Sequence, residues 1–489
     1  MKKQKPRSEF WQSAKHADKK SALPKSTTGK VIPLIGLQWG DEGKGKGVAR
    51  IASGLSKGDL ITRFQGGNNA GHTIYHQGKS FVFKLIPSGV FGKAQIHLGG
   101  GMVVNPGAFL NETLTIPKEI SFLGRLSVSP HAVLILPTHI LLDSISELKK
   151  GKKKMIGSTG RGIAPAYTDL VSRTALRVGD IFQKDFKKRY IFLREQHKKI
   201  LLNLYGYKIN KKEFTKSEKD FFTGVKFLKT LSIKNSAELV EETLSRRGKV
   251  IAEGAQGAMH DIRFGDYPFV TSSHTVAGGV STGLGIPPSL VGGSIGTLKA
   301  YSTKVGEGPF PTELGGIKSA VWCRDKKFFY EKEKFPHPKI DNMINSKDEF
   351  LQGIALRRAG FEIGAVTGRL RRTGWLDIPL VHFTMKINNT TELILTKLDI
   401  FDGFKKIKVC TDYIINNKKT TKIPFDLSRE KIKCIYKSFP IWSGKLADYG
   451  KKLPKEALNY VKYLEKTLGA KIIYVGTGPE EHQCIERYW

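Results

Sequence analysis

Short apolar runs closed by glycine recur from one end of the chain to the other. Val31–Gly36, Leu60–Gln65, Lys249–Glu253, Ser294–Tyr301, Glu392–Leu398, Ile407–Ile415 and Lys471–Val475 have the length and the apolar or β-branched content of strands. Between them lie segments with helical spacing of apolar residues: Gly47–Leu55, His139–Lys150, much of 181–246, and Lys455–Leu468. No block repeats. The alternation predicts an α/β fold: one large domain over residues 31–489, with a mostly parallel central β-sheet flanked by helices. At least four of the predicted strands run into glycine-rich loops, and ligands of such sheets collect beyond the carboxyl ends of the strands. Two stretches break the pattern. One is a basic leader, residues 1–30; the other, 317–360, contains DKKFFYEKEKFPHPK and reads as an irregular, charged surface excursion.

Composition sets limits without changing that picture. With 489 residues, a 39% hydrophobic share and 52 glycines, the chain has the make-up of a turn-rich globular protein. No window approaches the roughly 18 uninterrupted apolar residues of a membrane span. Four scattered cysteines without a C-x-x-C pair read as reduced thiols, so a cytoplasmic location is expected. The leader is basic and has no apolar signal core. A disordered tail is the expectation there, with organellar targeting as the alternative. The formal net charge of +37 attracts polyanions and anionic metabolites alike. Because the lysines are spread along the chain and no aromatic-interleaved strand-binding motif is present, dedicated nucleic-acid binding is not expected.

The candidate chemistry begins with QWGDEGKGKG, directly after the first apolar run. Gly40–Lys46 has the G-x-x-x-x-G-K spacing of a phosphate-binding loop. Its glycines let backbone N–H groups close on an anion, and the helix that follows would add its dipole. Yet the Ser/Thr expected after the lysine is Gly47, and Asp41 and Glu42 put carboxylates where a phosphate should lie. An acid in such a loop needs a metal to bind or a proton to remove. Further loops read GGNNAGHT (66–73), GSTGRGIAPAY (157–167), EGAQG (253–257), YPFVTSS (267–273), AYSTKVGEGPFPTE (300–313), TGRLRRTGWLD (367–377), TKLD (396–399) and GTGP (476–479).

In this order, from residue 36 to about 480, these motifs resemble the successive signatures of the adenylosuccinate synthetase family. The resemblance implies a ligase that joins IMP and L-aspartate with GTP hydrolysis. The products are adenylosuccinate, GDP and phosphate, formed through 6-phosphoryl-IMP in the first committed step from IMP to AMP. It implies GTP as co-substrate and one Mg²⁺ per subunit, held by Asp41 and the Gly71 carbonyl. Asp41 takes the part of the base that removes the N1 proton of IMP, His72 that of the general acid, and Lys44 brings positive charge to the phosphates.

The implied IMP site comprises Asp41, Glu42, Gly43, Lys44, Asn69, Ala70, Gly71, His72, Thr159, Gln256, Thr271 and Arg369, completed by Arg173 across the interface of a two-fold homodimer. Aspartate would meet Ala365, Val366, Thr367, Gly368, Arg369, Leu370 and Arg371, where guanidinium forks match carboxylates. GTP would lie on Gly40, Asp41, Glu42, Gly43, Lys44, Gly45 and Lys46, with Gly71, His72, Thr73 and Arg371 near its phosphates. Its base would meet Lys397, Leu398, Asp399, Gly476, Thr477 and Gly478. Asp399 would accept from guanine N1–H and the 2-amino group, which adenine cannot supply. Three positions depart from the bacterial pattern: Leu370 replaces an arginine, Gly476 a serine and Asn68 a histidine.

The phosphate loop and TKLD also allow a GTP-dependent switch or a nucleic-acid-associated GTPase. That reading lacks the Ser/Thr after Lys46 and leaves Asp41 without a purpose. An inactive relative is a third reading, opposed by the presence of Asp41, His72, Arg369, Arg371 and Asp399 together.

Overall fold

A computed structural model describes residues 29–151, 157–324, 343–364, 368–480 and 482–487. Ten strands form the central sheet. Their spatial order is Cys484–Glu486, Lys471–Gly476, Thr390–Thr396, Ser294–Lys299, Val31–Gly36, Val250–Glu253, Leu60–Arg63, Gln95–Leu98, Leu126–Val128 and Ser232–Ile233. Every neighbouring pair is parallel except the edge pair of Lys471–Gly476 with Cys484–Glu486. Parallel neighbours need crossovers, and helices such as Lys44–Ser53, Ser236–Ser245 and Lys455–Leu468 lie on them. Val31–Gly36 is buried almost throughout, as expected of a strand in the middle of a sheet covered on both faces. The chain leaves it for the Leu60–Arg63 half of the sheet and later builds the other half from Ser294–Lys299 onward. The loop after Gly36 therefore opens at the point where the connections diverge, which is where such sheets bind ligands.

The α/β architecture and the mostly parallel sheet agree with the sequence reading. The helix expected from Gly47 begins earlier, at Lys44, because Gly43 takes a left-handed conformation (φ 84°) and ends the loop there. The stretch 317–360 is helical at both ends, Gly316–Arg324 and Glu349–Ala359. The second helix buries Phe350, Ile354, Ala355 and Leu356 in the same core as Trp375 and Phe401. The irregular-surface expectation fails there because the helix is buried on several sides, so its apolar residues show no amphipathic stripe at helical spacing and its charged neighbours dominate the sequence. The charged run at 325–342 and nearly all of the leader, 1–28, lie outside the described residues. Among the described residues no helix is long and apolar enough to cross a membrane.

A second sheet, built on Tyr301–Lys304, Arg372–Asp377 and Lys406–Ile415, packs beside the first. It carries the arginine-rich segment. On the other flank, His139, Asp169 and His197 tie three helices together. His139 Nε2 and His197 Nε2 lie 2.8 and 3.1 Å from Asp169 Oδ2. The Leu136 N–H donates to His139 Nδ1 (3.0 Å), so the ring proton sits on Nε2 and points at Asp169. A metal on that Nε2 would need the proton on Nδ1, where Leu136 already donates. The trio is thus a hydrogen-bonded brace. It fixes the helix Ile163–Val171, which follows the GSTGRG loop and precedes Arg173.

Candidate active site

The loop between Val31–Gly36 and the helix Lys44–Ser53 is organised by its own acid. Glu42 is fully buried; its Oε1 accepts from the N–H groups of Gln38 (3.0 Å) and Gly40 (2.8 Å), and its Oε2 accepts from Lys44 Nζ at 2.7 Å. Gly36 and Gly257 are needed because a Cβ at either position would run into the Glu42 carboxylate. Glu42 and Lys44 thus shape the loop as a neutral buried pair. Asp41 is turned the other way, 30% exposed, with its carboxylate 2.7 Å from Arg371 Nε. Burial pushes its carboxyl up, but Arg371 and then Lys299 outweigh that and hold it below the usual carboxylate range. Gly43 offers no side-chain cap, which leaves the first N–H groups of the helix to a ligand.

His72 opens the strand His72–His76, with its Nδ1 2.5 Å from Glu253 Oε1. Glu253 ends its own strand, fully buried, and also accepts from Ser88 N–H (2.7 Å) and Ser88 Oγ (2.5 Å). A carboxylate there assigns the Nδ1 proton and leaves Nε2 as the nitrogen available to a ligand. Burial holds the imidazole pKa below its ordinary value despite Glu253.

The IMP candidates converge from two strand ends. Asn69 Oδ1 accepts from Gly67 N–H at 3.2 Å, and its Nδ2 reaches Thr271 Oγ1 at 3.4 Å. Gln256 Oε1 and Asn69 Oδ1 both lie within 4 Å of the space a Cβ would take on Gly66. The Gln256 amide is buried, yet neither its nitrogen nor its oxygen has a partner among the described residues. An orphaned buried amide is costly, and it lies beside Asn69, another of the candidate residues. Arg369 donates to the carbonyls of Gly157 (3.1 Å) and Ser158 (3.0 Å), so the arginine segment and the loop bearing Thr159 already touch. Arg173 is exposed beyond the end of its helix and is not gathered into this cleft by its own chain. Leu370 is buried, and its backbone bridges to Ile363; Ala365, Val366 and Thr367 lie outside the described residues.

The guanine candidates stand at the ends of Thr390–Thr396 and Lys471–Gly476. Thr396 Oγ1 donates to the Glu42 carbonyl (2.6 Å), joining that strand end to the phosphate loop. Lys46 is not a free phosphate contact here. Its ammonium donates to the carbonyls of Gly478 (2.6 Å) and Gln483 (2.8 Å) and holds the GTGP turn. A Cβ on Gly476 would meet only ordinary contacts, so glycine is not sterically required there. Asp399 follows in a short 3₁₀ turn, and burial pushes its carboxyl up. Lys397 Nζ points away from it, to the Gly360 carbonyl and Glu362 Oε1, each at 2.7 Å.

Three residues of this cleft were not singled out from sequence: Glu253, Lys299 and Glu362. Glu253 is the first letter of a recognised motif, and its position as the last residue of a predicted strand was the available signal. Lys299 and Glu362 carried none. A further regularity is conformational. Of the ten non-glycine residues with positive φ among those described, four are predicted site residues: Asp41 (61°), Arg173 (65°), Gln256 (55°) and Lys397 (57°). Such backbone costs about 1–3 kcal/mol and persists where its surroundings impose it, often at functional sites.

Comparison with known proteins agrees with this geometry. The family model described as adenylosuccinate synthetase matches residues 33–485. The adenylosuccinate synthetase of Christiangramia forsetii is 41% identical over 458 residues, 93% of this chain and 99% of that protein. That of Porphyromonas gingivalis is 41% identical over 462 residues, with 94% and 99% coverage. The fully ligated adenylosuccinate synthetase structure from Plasmodium falciparum superposes with a TM-score of 0.80 at 33% identity, covering 94% of this chain and all of that one. The cyanophage S-2L succinoaminodeoxyadenylate synthetase shares the fold at 17% identity and a TM-score of 0.54. The switch-type GTPase reading is thereby set aside, and the chain belongs to the adenylosuccinate synthetase family, the ligases that join IMP to L-aspartate with GTP in AMP biosynthesis.

Proposed function

We propose that the residues of the cleft divide the family's reaction as follows. Asp41 removes the N1 proton of IMP so that O6 can attack the γ-phosphate of GTP; the aspartate amine then displaces phosphate at C6. The observation that carries this is the Asp41 carboxylate, half-buried in an otherwise anion-binding loop and held ionised by Arg371. While that pair persists Asp41 is a weak base. Phosphates that draw Arg371 toward themselves would return proton affinity to Asp41 as the reactants assemble.

His72 stabilises charge building on the transferred group. A phosphoryl oxygen near Nε2 favours the imidazolium, and Glu253 on Nδ1 supports it. The Asp41 carboxylate and the Gly71 carbonyl are hard oxygen donors suited to Mg²⁺ alongside phosphate oxygens, and the ion would neutralise phosphate charge. Gln256, Asn69, Thr271 and Thr159 hold IMP, with Arg369 between IMP and aspartate. Exposure of Arg173 and of Val171 (82%) beside it supports a two-fold dimer in which each Arg173 serves the partner's site.

The direct test mixes the purified protein with IMP, GTP, Mg²⁺ and aspartate and follows the ultraviolet absorbance of adenylosuccinate. An aspartate-dependent rise is expected; a rise that ignores aspartate, or none, would refute the reading. Asp399→Asn is expected to lower the GTP-over-ATP preference in kcat/KM by about 10²-fold, because the lost carboxylate was the acceptor for two guanine donors. An unchanged preference would remove Asp399 from base recognition.

A further inference from the structure

Glu362 lies between the two halves of the nucleotide cleft and is fully buried. Its Oε1 accepts from Tyr301 Oη (2.5 Å), Lys397 Nζ (2.7 Å) and Lys299 Nζ (3.0 Å). Its Oε2 accepts from Arg371 Nη1 (2.6 Å) and again from Lys299 Nζ (3.0 Å). The backbone adds a further link, Arg371 N–H to the Glu362 carbonyl at 2.9 Å. One carboxylate therefore carries a lysine from the TKLD turn, an arginine from the aspartate segment, and a lysine from the floor of the sheet. Arg371 reaches on with its Nε to Asp41.

A single buried anion serving three cations is not a surplus ion pair. Removing it leaves like charges facing one another in a medium that screens them poorly, and they must move apart. Lys397 and Arg371 would move on opposite sides of the cleft. Burial brings the Lys299 ammonium down to about 7, and Glu362 is the chief charge opposing that shift.

From this arrangement we infer that Glu362 is a positioning residue that couples guanine-nucleotide binding to aspartate binding, by holding the TKLD turn and Arg371 with one carboxylate. The inference rests on the functional reading above. It touches no substrate itself, so its loss disturbs two substrate sites together and leaves the IMP contacts of Asn69, Gln256 and Thr271 in place.

The test is Glu362→Gln, which keeps size and removes charge. KM for GTP and KM for aspartate are both expected to rise about tenfold or more, the order for a charge-assisted contact left without its partner, while KM for IMP stays within about twofold. Binding of GDP, measured by calorimetry without turnover, is expected to weaken by a similar factor. A residue that merely stabilised the fold would lower the active fraction, and with it kcat, and would leave all three KM values alone. If the single variant does not fold, Lys299→Met/Glu362→Gln removes one cation with the anion and is expected to give the same joint rise. A KM for either GTP or aspartate that stays within about twofold of wild type in the folded variant overturns the inference. Absence of adenylosuccinate with the unaltered chain would instead overturn the functional reading on which it stands.

Discussion

Asp41→Asn is expected to lower kcat by about a thousandfold or more while the protein stays folded and still binds IMP. The physical grounds are local. Asparagine has nearly the same shape and tolerates the left-handed backbone that Asp41 occupies (φ 61°). It cannot accept a proton from N1 at neutral pH and is a poorer donor to a hard cation. Arg371, which loses its partner, keeps its bond to Glu362 Oε2 at 2.6 Å, so no buried cation is stranded. Thermal unfolding should therefore move little. Steady-state assays of adenylosuccinate formation beside calorimetric IMP binding measure both halves of the expectation. Turnover within about tenfold of wild type would show that neither base nor metal ligand is needed at this position.

The second large effect is expected at a residue that stands in a motif but received no role from the sequence. Glu253→Gln should reduce kcat by about a hundredfold. The carboxylate orients His72 through a 2.5 Å contact and supports any positive charge the ring acquires. Glutamine keeps the length of the side chain but cannot do the second. The change also takes from Arg63, buried beside Glu253, the larger of its two compensating charges and leaves it Glu112. A loss of stability of about 1–3 kcal/mol should accompany the loss of rate. To separate the two effects, Ser88→Ala removes a donor to Glu253 and a 3.3 Å contact with His72 Nδ1 but keeps the Glu253–His72 contact; its kcat should stay within a few-fold of wild type. Equal rates for Glu253→Gln and the unaltered chain, measured well below the unfolding temperature, would mean that His72 needs no orienting carboxylate.

Much of the fold was legible because its signals are local. Val31–Gly36 announces itself by an unbroken apolar run, and Lys455–Leu468 by an apolar face at helical spacing. Asp41 was conspicuous as an acid inside an anion-binding loop, and His72 by the glycines around it. Glu349–Ala359 carries no such signal, because the helix is buried on several sides and its apolar residues form no stripe at helical spacing among their charged neighbours. Leu370 stands where an arginine was expected to meet substrate; the structure buries it, bridged by its backbone to Ile363. Lys46 sits at the lysine position of the phosphate-loop pattern, yet its ammonium is engaged by two backbone carbonyls from the far end of the chain.

The amino-acid order by itself determined the sequence of strand, glycine loop and helix, and the chemistry each loop can offer. These depend on residues within a turn or two of one another. Which charges share a site depends on distance through space, and only the closed sheet decides that. The sheet brings Glu42 under Thr396, Glu253 against His72, and Glu362 between Lys299, Arg371 and Lys397. In a medium of low polarisability those few ångströms decide which cation compensates which carboxylate, and they give Arg371 to Asp41 and Glu362 together.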